Sequence, residues 1–568
     1  MTPRCLRQLS AGCLLAGLAA SGLAAAADRP AADLVVEHAR IWTVDAAHPE
    51  AEAVAVLDGR IVAVGSDAEI RAWQGARTRV VDAGGRRLLP GFNDAHVHFS
   101  DGGAALASLQ LNDVTSVAEF KRRIGARAAS IAPGKWILDG NWDETKWTPA
   151  ELPTRQLIDA VTPDNPVSIS RYDGHMVLLN SKALALAGIT ARTPDPPGGV
   201  IVRDARGEPT GALKDAAIAL VDRVIPAPTP AERRAAIERA LREAASLGVT
   251  SVQDMANPPV DYRDLAVFAE LLGEGKLTAR VYVAPLITGV DDQAKLGIRR
   301  AFGGPSLRIG AVKGYADGSL GSRTAYFFEP FLDQPDNRGL LSDTMQPLSR
   351  TREYLARADA AGMQVCIHAI GDAAISTVLD LYAEVEKADG PRDRRWRIEH
   401  AQHMAAKDFD RFAALGVIAS VQPYHAIDDG RWAEARIGHD RASRTYAFRT
   451  FRDHGVRLAF GTDWPVAPLN PMLTLYAATT RATLDNRNPG GWFPEQKLSI
   501  EEAIEAYTLG SAYAEFQEHE KGSITPGKLA DFVLLSEDVL KLPAADLRRV
   551  RVLRTWVGGA EVYSAAAR

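Results

Sequence analysis

Six side chains in this 568-residue sequence carry groups that bind divalent metals or move protons, and each lies near the end of a strand-like run. They are His96 and His98 in GFNDAHVHF, Lys313 in IGAVKGYADGS, His368 in MQVCIHAIGD, His400 in WRIEHAQ and Asp463 in LAFGTDWPV. Histidine and aspartate suit zinc and similar divalent ions, whereas a protonated lysine repels them. Lys313 can join such a set only as a neutral amine or as the carbamate it forms with CO2, whose two oxygens can bridge two metals. Two metals sharing a hydroxide would lower its pKa toward neutral and polarise a carbonyl under attack. Asp463 would bind one metal and carry the proton to the leaving group. Zinc is the first expectation for the metal, with Mn, Fe, Co and Ni compatible with the same donors. Any one of these residues alone reads as an ordinary packed, capping or turn residue. Their ordered occurrence on separate strands is what points to a metal-dependent hydrolase.

The elements that must position them follow from periodicity. A strand turns alternate side chains to one face, so His96 and His98 point together. Eight strand-like runs, at 88–98, 249–255, 280–285, 309–316, 364–370, 397–401, 417–422 and 457–463, alternate with helical stretches such as PAERRAAIERALREAASLG and SIEEAIEAYTLGSAYAEF. That alternation predicts an α/β fold, a (β/α)8 TIM-like barrel whose C-terminal strand ends meet at one mouth. The six candidates then fall on the first, fourth, fifth, sixth and eighth strands. Residues 33–88 alternate apolar and polar side chains between turns and read as short antiparallel strands. The C-terminal GKLADFVLLSE and RVLRTWVGGAEVY return to that style, so 33–88 and 519–565 are expected to form one small β domain beside a catalytic barrel over 89–518. The stretch from about 100 to 247 is too long for a loop and carries strand-like runs of its own, which predicts an inserted subdomain over the barrel mouth.

Composition sets the wider bounds. With 46% hydrophobic and 24% charged residues the chain can bury a large core. A net charge of −5 offers no basic footprint, which excludes nucleic acid as an expected partner and leaves a small-molecule substrate. A homodimer is compatible with the composition. Residues 1–27 place Arg4 and Arg7 before an apolar run that ends in Ala25, Ala26 and Ala27, the pattern of a cleaved secretory signal. The run is broken and alanine-rich, short of the ~18 to 25 continuous apolar residues of a membrane span. The mature chain is therefore expected to be exported, periplasmic or secreted, with no membrane anchor. Of three cysteines, Cys5 and Cys13 fall in that leader, so Cys366 remains alone and no intrachain disulfide can form.

The motifs PGFNDAHVHF, VKGYADGSLGSRTA, IHAIGDAAI, IEHAQ, FGTDWPV and GSITPGKLADFVLL together resemble the amidohydrolase superfamily, specifically its family 3, YtcJ-like branch, over residues 33 to 565. The resemblance implies a metal-bearing (β/α)8 barrel beside a small β-sandwich built from both chain ends, hydrolysing C–N bonds in amides, formamides or cyclic amides. It implies that His96, His98 and Asp463 hold the more buried metal, that carboxylated Lys313 bridges, and that His368 and His400 hold the second. YDGHMVLLNSKAL is similar to a family pattern, DGHxxxxNSxAL, and makes His175 a candidate substrate contact, with Asn180 beside it. Asp317, Ser319 and Arg323 follow the fourth strand, where Arg323 would grip a substrate carboxylate or else pair with an acidic neighbour. Rival readings are a deaminase or an esterase or lactonase on the same site, a serine hydrolase using Ser319 in DGSLG, and an exported binding protein without chemistry. The serine reading lacks the glycine that a nucleophile elbow needs where Asp317 stands.

Overall fold

The computed structural model describes residues 30–257 and 261–565; the expected leader over 1–27 lies outside them. Eight short parallel strands form its centre: β1 Phe92–Val97, β2 Val249–Met255, β3 Arg280–Ala284, β4 Ala311–Tyr315, β5 Gln364–Ala369, β6 Arg397–His400, β7 Ile418–Val421 and β8 Leu458–Phe460. β1 to β3 pair in order, and so do β4 to β8. The two sets meet at both edges. Lys313 N donates to Pro285 O at 2.7 Å between β3 and β4, and Asp463 N donates to His96 O at 2.7 Å between β8 and β1. The fold is of the TIM-barrel type, and both seams run through candidate site residues.

Three of the expected strands differ in the structure. The run at 88–98 is split at Gly91, with Arg87–Pro90 pairing outside the barrel and only Phe92–Val97 pairing to β2. The run at 309–316 is split, with Leu307–Ile309 pairing to β3 and β4 pairing to β5. The break is Gly310, at φ +126, where a Cβ would lie 2.0 Å from Arg299 O. The run at 457–463 keeps only three strand residues before the chain turns at Thr462 and Asp463.

The helices show why the sequence places them. Pro230–Ser246 opens with a reciprocal cap, Glu232 N donating to Thr229 Oγ1 at 3.2 Å and Thr229 N to Glu232 Oε2 at 2.8 Å. Its Ile237, Leu241 and Ala244 recur at helical spacing and are buried against the strand layer. The stretch expected as one helix over 499–516 is instead interrupted, Ile500–Glu505 passing through a π turn at Ala506–Gly510 into Ser511–Ala514. Gly510 packs on the backbone of β8, where a Cβ would sit 2.5 Å from Leu458 O. The bulge also brings the Tyr507 hydroxyl to Asp94 Oδ2 at 2.8 Å.

Both chain ends share one β layer. Ala560–Ser564, Val552–Val557 and Phe532–Leu535 continue through Arg87–Pro90 and Arg40–Trp42 to Glu50–Ala51 in a six-stranded sheet. A second sheet of Arg60–Gly65, Ala53–Leu57, Leu34–Glu37 and Arg79–Asp82 encloses a common core that includes Val36, Ile61, Phe532 and Trp556. The antiparallel expectation fails at two pairs: Leu34–Glu37 runs parallel to Arg79–Asp82, and Arg40–Trp42 parallel to Arg87–Pro90. In each case intervening strands return the chain to the same end before it re-enters the sheet.

Within the stretch expected as an insertion, a five-stranded sheet runs in the order Gly199–Arg203, Pro209–Asp215, Met176–Leu179, Val167–Arg171, Ile137–Trp142. It has its own core around Phe120, Trp142, Ile158 and Ile169. Among the described residues no helix is long and apolar enough to cross a membrane. Cys366 is buried, and burial pushes its thiol up to about 12, which leaves it inert.

Candidate metal centre

Two imidazoles are aimed by partners that leave only one nitrogen open. His96 Nδ1 lies 2.7 Å from Glu399 Oε2, and His98 Nδ1 lies 2.7 Å from Met255 O. Carboxylates and carbonyls only accept, so each Nδ1 carries a proton and each Nε2 is the nitrogen turned toward the cluster. Those Nε2 atoms lie 3.3 and 3.2 Å from Asp463 Oδ1, a buried oxygen without a hydrogen-bond partner. Two imidazole nitrogens and a carboxylate oxygen converge there, an arrangement that a cation stabilises. Burial would lower the pKa of His98, but Asp463 outweighs it and raises that pKa, so a bound metal would take the place of a proton. The donor set therefore fits a divalent metal held by His96, His98 and Asp463.

Glu399 is itself fixed. Arg397, fully buried, lies 2.7 Å from Glu399 Oε1 through Nε and also reaches Ala95 O and Ser420 Oγ. Burial would raise the Glu399 carboxyl, but Arg397 and His96 outweigh it and hold it at about 2. Asp94 ties β1 to β8 beneath the same point, accepting from Thr462 N, Thr462 Oγ1 and Tyr507 Oη at 2.9, 2.8 and 2.8 Å.

Asp463 and His400 both stand at positive φ, +62 and +70. That backbone is rarely occupied by residues other than glycine and carries strain. In His400 it breaks the alternation of β6, so that Glu399 and His400, adjacent in sequence, both lie in the interior beside His96. Burial would raise Asp463, but His96, His98 and His400 around it outweigh that and hold it well below the usual carboxylate range.

Lys313 is fully buried with Nζ 3.3 Å from His96 Nε2. Burial lowers its pKa to about 8, which increases the fraction of neutral amine that a carbamate requires. His368 Nε2 lies 3.2 Å from Gly318 O, so its proton is there and Nδ1 stays open. Its ring stands 4.5 Å from that of His400, whose Nδ1 has no partner. Burial lowers both imidazoles well below their ordinary range, which keeps them neutral as ligands must be.

His425, which the sequence did not single out, also converges. Its Nε2 has no hydrogen-bond partner and lies 4.0 Å from Asp463 Oδ2, and it forms a second close donor group with His400 and Asp463. It sits on the helix Pro423–Asp429 beyond β7, where a single histidine in PYHAIDD carries no periodic signal. Its position one turn from the end of a barrel strand is the one clue available.

The second-rank candidates divide. His175 lines the cavity over the cluster, its Nδ1 2.7 Å from Asp215 Oδ1 and its ring 5.1 Å from His368. Asp317 is not among the residues that line the cavity: its buried carboxylate accepts from the backbone of Tyr326, Ile370 and Gly371 at 2.8 to 2.9 Å and organises the loop after β4. Arg323 does not line the cavity either; Nε and Nη2 lie 3.0 and 2.6 Å from Asp333 Oδ2, so the acidic-neighbour alternative describes it. Asn180 caps a helix, accepting from Ala183 N at 2.9 Å. Ser319 Oγ donates to Asp173 at 2.7 Å and has no histidine base. The cavity leaves about 40 Å³ for the centres of water-sized molecules, and the five-stranded sheet region contributes Tyr172, Asp173 and His175 to its wall.

A barrel of this type with imidazoles and an aspartate converging at its strand ends defines a metal-dependent hydrolase, and comparison with known proteins agrees. The sequence profile described as "Amidohydrolase family" matches residues 79–563. The chain belongs to the amidohydrolase family and is an enzyme of its hydrolase class. It is 38% identical to Protein LONG AFTER FAR-RED 3 of Arabidopsis thaliana, over 94% of this chain and 92% of that one. It is 31% identical to Putative amidohydrolase YtcJ of Bacillus subtilis (92% and 98% covered) and 29% identical to N-substituted formamide deformylase of Arthrobacter pascens (94% and 98%). A crystal structure of an uncharacterized metal-dependent hydrolase from Pyrococcus horikoshii superposes with a TM-score of 0.73 at 28% identity, covering 90% of this chain and 99% of that one.

Proposed function

We propose that this enzyme hydrolyses the C–N bond of a small amide or formamide with two divalent metals at the barrel mouth. His96, His98 and Asp463 would hold one, His368 and His400 the second, and Lys313, as its carbamate, would bridge them. The observation that carries the reading is the unpartnered Asp463 oxygen between the Nε2 atoms of two imidazoles. Bound metal would supply Lewis-acid polarisation of the scissile carbonyl and a water acidified toward neutral pH.

The chain supplies the rest. Asp463, kept ionised by its histidine neighbours, takes the proton released as the nucleophile attacks and hands it to the departing nitrogen. Glu399 and Met255 O hold the imidazoles in the tautomer this needs. Tyr172 and His175 form part of the cavity wall above the metal donors. The choice of amide or formamide over ester or amino-substituted ring rests on the relative named as a formamide deformylase.

The test is turnover of N-formyl and N-acetyl amines by protein loaded with zinc or manganese, followed by exhaustive chelation. Cleavage that stops with the chelator and returns with metal is the expected result. Activity that survives metal removal, or cleavage of esters with amides untouched, would overturn it.

A further inference from the structure

Asp429 is a buried carboxylate without a counter-ion in the wall of the same cavity. It is 8% exposed and ends the helix Pro423–Asp429 one turn beyond His425, about 6 Å along the axis from that residue, so two cavity-lining groups stand on one helical face. Its Oδ2 accepts from the Tyr446 hydroxyl at 2.6 Å and from the Gln402 side-chain amide at 3.0 Å, while Oδ1 has only a long 3.4 Å bond from the Tyr172 hydroxyl.

Carboxylates this deeply buried are ordinarily paired with a cation. The cations nearby are all committed elsewhere. Arg431 is held by Asp428 and by Asp143, and Arg171 by Glu144 and Asp173 at 2.8 and 2.7 Å. Arg436 donates to the carbonyls of Leu320 and Gly321. Among the described residues no lysine or arginine lines the cavity, and His175, which burial would lower but Asp215 raises, is already paired with that carboxylate. Asp173 also lines the cavity but is paired with Arg171, whereas Asp429 has no ion pair among the described residues.

We propose that Asp429, held by Tyr172, Tyr446 and Gln402, is a subsite for an ammonium group or comparable N–H donor at the far end of the substrate. The substrate class that follows is an N-acyl or N-formyl amine carrying a second, cationic nitrogen, rather than an N-acyl amino acid; the word acyl here rests on the hydrolysis proposed above. A charge-assisted hydrogen bond to Oδ1 would complete its weak coordination and neutralise the buried charge.

The experiment measures binding by calorimetry on the metal-loaded full chain, with three probes that share one neutral, non-hydrolysable amide mimic and differ only at the far end: N-(4-aminobutyl)methanesulfonamide, N-pentylmethanesulfonamide and 4-(methanesulfonamido)butyrate. The wild type should bind the ammonium probe about tenfold or more tighter than the pentyl probe, as a charge-assisted contact in a sheltered site predicts, with the carboxylate probe weakest. In Asp429→Asn, which still accepts from Tyr446, the ammonium and pentyl probes should converge to within about threefold. Equal affinities in the wild type would show the carboxylate to be a structural anchor only, and this reading needs no variant that folds. An ammonium preference that persists in a folded Asp429→Asn would place the recognition elsewhere and equally overturn it. Turnover of N-formyl-1,4-diaminobutane is scored apart: selective binding without cleavage would sink the hydrolytic reading and leave the subsite standing.

Discussion

Glu399 Oε2 stands 2.7 Å from His96 Nδ1 while Oε1 stands 2.7 Å from Arg397 Nε, all three side chains fully buried, so one carboxylate orients a candidate metal ligand and neutralises a buried guanidinium. Carboxylates behind metal-binding histidines raise ligand basicity and fix the ring.

This pair gives a pH dependence with a definite sign. Glu399 is depressed to about 2 in the fold, against its ordinary value of 4.5. Its stabilising contribution is therefore fully present above pH ~4.5 and is lost as pH falls through that value toward ~2, on the order of 3 kcal/mol in all. In Glu399→Gln the buried Arg397 keeps its charge without a counter-charge, so the variant starts less stable at pH 7. Urea unfolding of metal-free protein should show a wide gap between wild type and variant at pH 6 to 7 that narrows steadily toward pH 3. A gap independent of pH would mean that Glu399 is not the titrating group.

Asp463→Asn tests the proton carrier. The amide keeps the shape but cannot accept the proton, and it removes the anionic donor between His96 and His98. Turnover should fall by roughly a hundredfold or more. Metal per chain, measured on the same sample, separates the two causes: loss of rate at full metal content assigns the proton role, and loss in step with metal assigns a ligand role. Unchanged turnover removes Asp463 from both.

How much of this was visible in the sequence depends on the kind of signal. The period of two brings His96 and His98 together, because β1 is regular up to that point. The alternation of strands and helices indicates the barrel class for the same reason. The convergence of His400 and Asp463 rests on positive φ angles at residues that are not glycine, which no composition announces. Glu399 lies next to His400 in IEHAQ, yet alternation alone would have sent it to the opposite face. His425 and Asp429 come from a short helix beyond β7 in which no strand or helix period singles them out. Arg323 and Asp317 show the opposite limit: charge is legible, but whether a neighbour already satisfies it is a tertiary fact.

Cys366 supplies a check on the packing beneath the site. It lies on β5 two residues before His368, fully buried among Tyr282, Ala284 and Ala311, with its thiol raised by that burial. A chain beginning at Asp28 carries no other cysteine. Under native conditions it should take up no thiol reagent over hours, and one equivalent within minutes in denaturant. Rapid native labelling would mean that the barrel interior opens around β5, and with it the support of His368.

Lys313 is where the structure and the proposed chemistry are joined most tightly. Its backbone N–H closes the seam between β3 and β4, and its Nζ reaches His96 Nε2 at 3.3 Å inside a fully buried site. A charged amine there would repel a metal held by His96, so only the neutral form, which burial favours, or its carbamate is compatible with a filled site. Lys313→Ala keeps the backbone N–H of the seam while removing the oxygens that the proposed carbamate would supply. Metal content should then drop from two per chain toward one or fewer, and turnover should fall with it. Acetate or propionate can enter the space left by the side chain and present the same pair of oxygens, so part of both metal and activity should return at millimolar additive. Rescue by carboxylate but not by a primary amine identifies the missing group as an oxygen bridge; wild-type metal content and rate in Lys313→Ala without additive would rule out the carbamate.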